Sequence, residues 1–123
     1  MREPPKGPAI LVVEDEFMVR THIAMEIKEA GYTVFEANDA DEAISVLEAH
    51  KEIRTVFTDI EMPGSMDGVK LARAIRDRWP PIEIILTSGK HRLDKDHIPE
   101  RGKFFSKPYN PSEVIEAIGS LTR

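Results

Sequence analysis

The sequence predicts an α/β fold: a mostly parallel, doubly wound sheet with helices on both faces. Two observations carry this reading. The run AILVV at residues 9–13 is short and wholly apolar, as suits a strand covered on both sides. Beyond it, strand-like and helix-like segments alternate to the end of the chain, which implies parallel strands joined by right-handed crossovers. A length of 123 residues fits one domain with a core of its own.

The elements follow in order. After the first strand, Val19, Ile23, Ile27 and Ala30 recur at helical spacing, and Gly31 stands where a helix end favours a left-handed residue. Residues 32–37 (YTVFEA) read as the second strand. Asp39 is a good N-cap with Glu42 at the capping-box position, for a helix that runs to about His50 and buries Ala43, Ile44 and Leu47. Residues 54–58 (RTVFT) form a third strand that ends at Asp59. After the turn IEMPGSMDG, Val69, Ala72, Ile75 and Trp79 mark a helix, with Trp79 packing at its end and Pro80-Pro81 stopping it. IEIILTSG, 82–89, is a fourth strand. KHRLDKDHIPERG, 90–102, is polar and has room for at most a couple of helical turns, so the fourth helix is expected to be short. KFFS, 103–106, is the fifth strand. Asn110 caps and Pro111 opens a last helix that buries Val114, Ile115, Ile118 and Leu121.

Composition excludes several functions. There is no cysteine, hence no disulfide, thiolate nucleophile or cysteine-bound zinc, and a reduced cytoplasmic setting fits. The net charge of −5 is spread over mixed acids and bases with no basic stripe, which argues against direct contact with nucleic acid. No apolar run approaches the roughly 20 residues of a membrane-spanning helix. Residues 1–7 have no signal-like core and read as a flexible lead, so the domain is expected over 8–123. His22, His50, His91 and His97 lack metal-ligand spacing and read as surface or helix-end residues.

In doubly wound sheets, ligands bind beyond the carboxyl ends of the strands, where the winding reverses. For the strand order 2-1-3-4-5 that point lies between strands 1 and 3. Glu14 and Asp15 end the first strand and Asp59 the third, so three carboxylates would converge there. Like charges crowd unfavourably unless a cation joins them. A hard divalent ion with oxygen ligands is the natural partner, and Lys107 after the fifth strand adds a second positive charge. Ser88, at the end of the fourth strand, adds a hydroxyl. Taken singly, an acid pair after a strand is a cap or solvated turn, Thr87-Ser88-Gly89 a loop start and Lys107-Pro108 a turn. Their shared placement at one sheet edge is what points to a site.

The pieces ILVVEDE, TDIEMPGSMDG, IILTSG and FFSKPY, in that order over residues 8–122, resemble the receiver domain of two-component response regulators. The resemblance implies a five-stranded flavodoxin-like fold and a phosphoryl group taken from the phosphohistidine of a sensor histidine kinase or phosphotransfer protein. By position, Asp59 resembles the acceptor, and Asp15, Asp59 and the Glu61 backbone carbonyl resemble the Mg2+ ligands, with Glu14 acting through water. Lys107 resembles the lysine that pairs with phosphoryl oxygens, and its bond to Pro108 is expected to be cis. Ser88 resembles the switch hydroxyl, with Thr87 as the alternative, and Phe104 the aromatic switch. Glu61 and Lys90 would overhang the phosphoryl group and, paired, tune its lifetime. Two departures stand out: MPGSMDG carries one residue more than the commonest form of that turn, and Phe104 lacks the hydroxyl of the tyrosine often found there.

These readings combine into a single-domain receiver, with no output segment after Arg123, that switches a protein-binding surface and is not a turnover enzyme. The rival is an aspartate-nucleophile phosphohydrolase, which wants a second Asp two residues after the nucleophile where this chain has Glu61, and a cap domain. A structural receiver that is never phosphorylated is a third reading.

Overall fold

A computed structural model describes residues 9–89 and 101–121. The described chain holds strands β1 (Ala9–Val13), β2 (Val34–Ala37), β3 (Ile53–Asp59), β4 (Glu83–Ser88) and β5 (Gly102–Ser106). Its helices are α1 (Phe17–Glu29), α2 (Ala40–Ala49), α3 (Gly68–Arg78) and α4 (Pro111–Leu121). The five strands form one parallel sheet in the order β2-β1-β3-β4-β5. The winding therefore reverses between β1 and β3, as expected. The short helical segment expected within 90–102, together with Lys90, His91 and His97, falls almost wholly outside the described residues.

Alternation along each strand divides the core in two. Leu11, Val13, Val56, Ile84 and Leu86 face α2 and α3, where Ala43, Leu47, Leu71 and Ile75 meet them. Ile10, Val12, Phe57 and Ile85 face α1 and α4, where Ile23, Ile27, Val114 and Ile118 meet them. Both faces of β1 are buried, which is why AILVV has no polar position.

Several boundaries differ from the sequence reading. β2 begins at Val34, because Tyr32 turns aside to pack against the α1/α4 cluster. β3 is longer than expected and starts at Ile53, with a register shift opposite Ala9 and Ile10 that leaves Arg54 exposed. The α2 cap is made as read on one side: Asp39 Oδ1 accepts from Glu42 N–H at 2.8 Å. The return bond differs, since Glu42 Oε1 accepts from Asn38 N–H at 2.7 Å rather than from Asp39. Asp67 caps α3 by accepting from Lys70 N–H at 2.9 Å. Asn110 Oδ1 accepts from Ser112 N–H, with Pro111 opening α4. Of the described histidines, His22 is exposed on α1, and His50 ends α2 with its ring stacked on Phe35. Trp79 ends α3 and lies under the Arg78 guanidinium.

Candidate functional site

β1 stops at Val13, and the two acids after it part company. Glu14 is buried, while Asp15 projects into solvent. The main chain at Glu14 is fixed at both ends of its peptide groups. Its N–H donates to the Ala37 carbonyl at 3.1 Å, and its carbonyl accepts from Arg20 Nη1 at 2.8 Å. Its carboxylate is also engaged: Oε1 accepts from Lys107 Nζ at 2.8 Å and Oε2 from Glu16 N–H at 3.3 Å.

Asp59 is the last residue of β3 and only 3% exposed. The ladder continues past it, since Ile60 N–H donates to the Thr87 carbonyl at 2.9 Å. Lys107 Nζ approaches Asp59 Oδ1 to 3.3 Å as an ion pair, yet no hydrogen bond reaches that oxygen. Lys107 is brought there by β5: its N–H donates to the Ser88 carbonyl at 2.9 Å, and the bond to Pro108 is cis. One ammonium from the end of β5 thus reaches across to acids at the ends of β1 and β3.

One ligand oxygen each from Glu14, Asp15 and Asp59 lies within 4.8 Å of the other two, a set that can hold a metal ion. A buried carboxylate oxygen without a hydrogen bond, in a group of three acids facing one ammonium, is short of positive charge. That deficit fits a divalent cation with oxygen ligands. The electrostatics agree. Burial, then the Glu14 charge, raise the Asp59 carboxyl from 3.8 to about 6; Lys107 pulls it back and Glu61 adds a further push upward. Burial disfavours the Lys107 charge, but the bond to Glu14 and the neighbouring Asp59 outweigh it, so the lysine titrates above its usual value. Burial pushes the Tyr109 hydroxyl up to about 12.

Above Asp59 an open cleft of about 440 Å³ is lined by Asp15, Glu16, Asp59, Glu61, Gly89 and Lys107. Ser88 and Thr87, both buried at the end of β4, differ in their bonding. Ser88 Oγ donates to Glu61 Oε2 at 2.6 Å, whereas Thr87 Oγ1 is buried with no hydrogen bond. Phe104 pairs in register with Leu86 and packs, half-buried, against the α2/α3 cluster. Alternation places Ser88 on that same face of the sheet. Lys90, and with it the Glu61–Lys90 pair read from the sequence, lies outside the described residues.

Three participants escaped the sequence reading. Arg20 holds the Glu14 carbonyl from the second turn of α1 and carries no motif. Gly89 N–H donates to Glu61 Oε1 at 3.2 Å, a main-chain contact that no residue type announces. Tyr109 was quoted only as the end of FFSKPY, yet its ring meets Phe57 edge-on, with centroids 5.4 Å apart, beside Lys107.

This is a doubly wound parallel α/β protein with a buried aspartate and an acidic pair at its winding reversal, reached by a lysine from the end of β5, and in such folds ligands bind beyond the strand ends. The family is narrower. Residues 10–119 match the profile of the response regulator receiver domain, and the chain belongs to that family. It is 36% identical over 119 residues to the aerobic respiration control protein ArcA of Escherichia coli (strain K12), covering 94% of this chain and 49% of that one. It is 33% identical over 117 residues to the transcriptional regulatory protein ResD of Bacillus subtilis, covering 93% and 48%. The chain spans about half the length of these curated relatives. A response regulator receiver protein from Sinorhizobium medicae has the same fold, with a TM-score of 0.85 at 26% identity over 95% of each chain. Among the described residues no helix is long and apolar enough to cross a membrane.

Proposed function

We propose that this receiver domain takes a phosphoryl group onto Asp59 from the phosphohistidine of a histidine kinase or phosphotransfer protein, and switches a protein-binding surface in response. The observation that carries the reading is Asp59 itself: buried, ion-paired with Lys107 at 3.3 Å through an oxygen that receives no hydrogen bond, and lining an open cleft. In the step, an Asp59 carboxylate oxygen attacks phosphorus. The new O–P bond forms as the P–N bond to imidazole breaks, and the leaving nitrogen takes a proton from solvent. Such transfer needs positioning and charge neutralisation more than covalent machinery. The β3 ladder fixes Asp59 in line with the cleft. Lys107 stands beside the acceptor oxygen to receive the charge that the phosphoryl oxygens bring. The carboxylates of Glu14, Asp15 and Asp59 with the Glu61 carbonyl would hold Mg2+, which when bound supplies further charge neutralisation. After transfer, Ser88 engages a phosphoryl oxygen, and Phe104 on the same face shifts with it. The protein acts once per phosphoryl group, as a cytoplasmic switch rather than a turnover enzyme.

Incubation with acetyl phosphate and magnesium, followed by intact mass, tests this. The expected outcome is one phosphoryl adduct that disappears in Asp59→Asn and without magnesium. An adduct that survives Asp59→Asn overturns the assignment.

A further inference from the structure

The Glu61 side chain lines the cleft, and its carboxylate accepts from two donors at the end of β4. Ser88 Oγ–H donates to Oε2 at 2.6 Å and Gly89 N–H to Oε1 at 3.2 Å. A carboxylate of a glutamate can only accept, so the hydroxyl proton must point at it. Both bonds are therefore charge-assisted, and the first has the short length of such bonds. Two adjacent donors converge on one anion, within a cleft that also contains Asp59 and Lys107. Pocket donors of this kind bind an anionic group whichever one is present.

We propose that Glu61 is a positioning residue that stands in for the phosphoryl group in the resting protein. Its carboxylate holds Ser88 and Gly89 in an anion-binding arrangement and must be displaced when Asp59 is loaded, so it sets the threshold for switching. The proposal rests on the phosphoryl-acceptor reading and adds a competitor to it. Displacement has a direction. A phosphoryl group offers three acceptor oxygens and up to about two negative charges, against two oxygens and one charge on Glu61. Once displaced, Glu61 must find solvent or cation partners elsewhere, and the Ser88 and Gly89 donors are spared any interval without an acceptor. The backbone carbonyl of Glu61 is untouched by changes to its side chain, which separates this role from metal binding.

The test uses beryllofluoride with magnesium, a non-hydrolysed stand-in for the phosphoryl group, titrated into the protein and followed by amide resonances. Glu61→Gln keeps the size and removes the charge that holds the donors. It should bind beryllofluoride on the order of tenfold more tightly, the size of one lost charge-assisted competitor. In Ser88→Ala the gain from the same Glu61 change should shrink to less than about threefold, because one of the contested donors is gone. In the resting protein the Gly89 amide should move upfield on Glu61→Gln, and with beryllofluoride bound it should have the same position in both. An equal gain with and without the Ser88 hydroxyl means plain charge repulsion and overturns the proposal. So does a resting Gly89 amide that ignores the substitution. Binding in wild type with no gain from Glu61→Gln overturns this proposal alone. Failure of every chain to bind, wild type included, overturns the acceptor reading as well.

Discussion

At the scale of single residues, the cost of the site falls on Asp59. Burial first, then Glu14, raise its carboxyl from 3.8 to about 6, against the pull of Lys107. The sign follows from linkage: between those two values the folded protein keeps a proton that the unfolded chain has released. Stability from this group is therefore greatest below the unfolded value and is lost as pH rises through about 6. A gap of about two pKa units corresponds to about 3 kcal/mol at neutral pH, as an upper bound. Asp59→Asn should stabilise the chelator-treated protein at pH 7.5 by about 1–3 kcal/mol and have almost no effect at pH 4. Asp15→Asn should gain less, because that carboxylate is exposed. Urea unfolding in chelator at the two pH values checks both. An Asp59→Asn protein no more stable than wild type at pH 7.5 would mean that Lys107 already compensates the buried charge.

At the scale of elements, the join between β3 and α3 sets the position of Asp59. A Cβ on Gly68 would lie 2.1 Å from the Asp59 carbonyl oxygen and 2.8 Å from the Ile60 Cα, so only glycine lets α3 start this close to the strand. Gly68 N–H donates to the Ile60 carbonyl at 2.9 Å and draws the turn shut. Gly68→Ala must push the main chain of Asp59 aside. It should cost about 1–3 kcal/mol by overpacking and slow phosphorylation by acetyl phosphate well beyond what the loss of folded protein explains. Thermal unfolding beside a labelling time course separates the two effects; an unchanged rate per folded molecule would show that the turn yields without moving Asp59. The sequence marked Asp67-Gly68 as a turn, and Asp67 does cap α3, but a close approach between backbones leaves no periodic trace. The carboxyl ends of β1, β3 and β4 were legible because their apolar runs give way there to Glu14, Asp59 and Ser88, although burial continues through these polar residues. The same logic put Glu14, Asp15, Asp59, Ser88 and Lys107 at one edge. It could not show that Glu14 turns inward while Asp15 turns out, because both acids look alike in a string of letters. Nor could it place Ser65, whose hydroxyl donates to Asp41 Oδ1 at 2.8 Å and ties the long turn to α2 beside Gly64, at φ +105°. That tether depends on a contact 24 residues distant in sequence.

At the scale of the whole molecule, β1 is the first strand made and one of the most central, flanked by β2 and β3. The ion pair between Glu14 and Lys107 joins residues 93 apart and spans the sheet from β1 to the far side of β4. Any opening that detaches β1 or β5 from the sheet breaks that pair. A ligand that requires the assembled edge should therefore protect β1, β3 and β5 together, by the factor 1 + [L]/Kd. In magnesium, hydrogen exchange of β1 and β5 amides should slow by one common factor. Protection confined to β1 and β3 would mean that β5 docks independently. The same long-range pair has a consequence for the chain as it is synthesised. Until residue 107 has emerged and β5 has docked, the acids of β1 and β3 face each other without their ammonium. The assembled set of charges at this edge is absent from an incomplete chain, and the last strand to arrive is the one that completes the first.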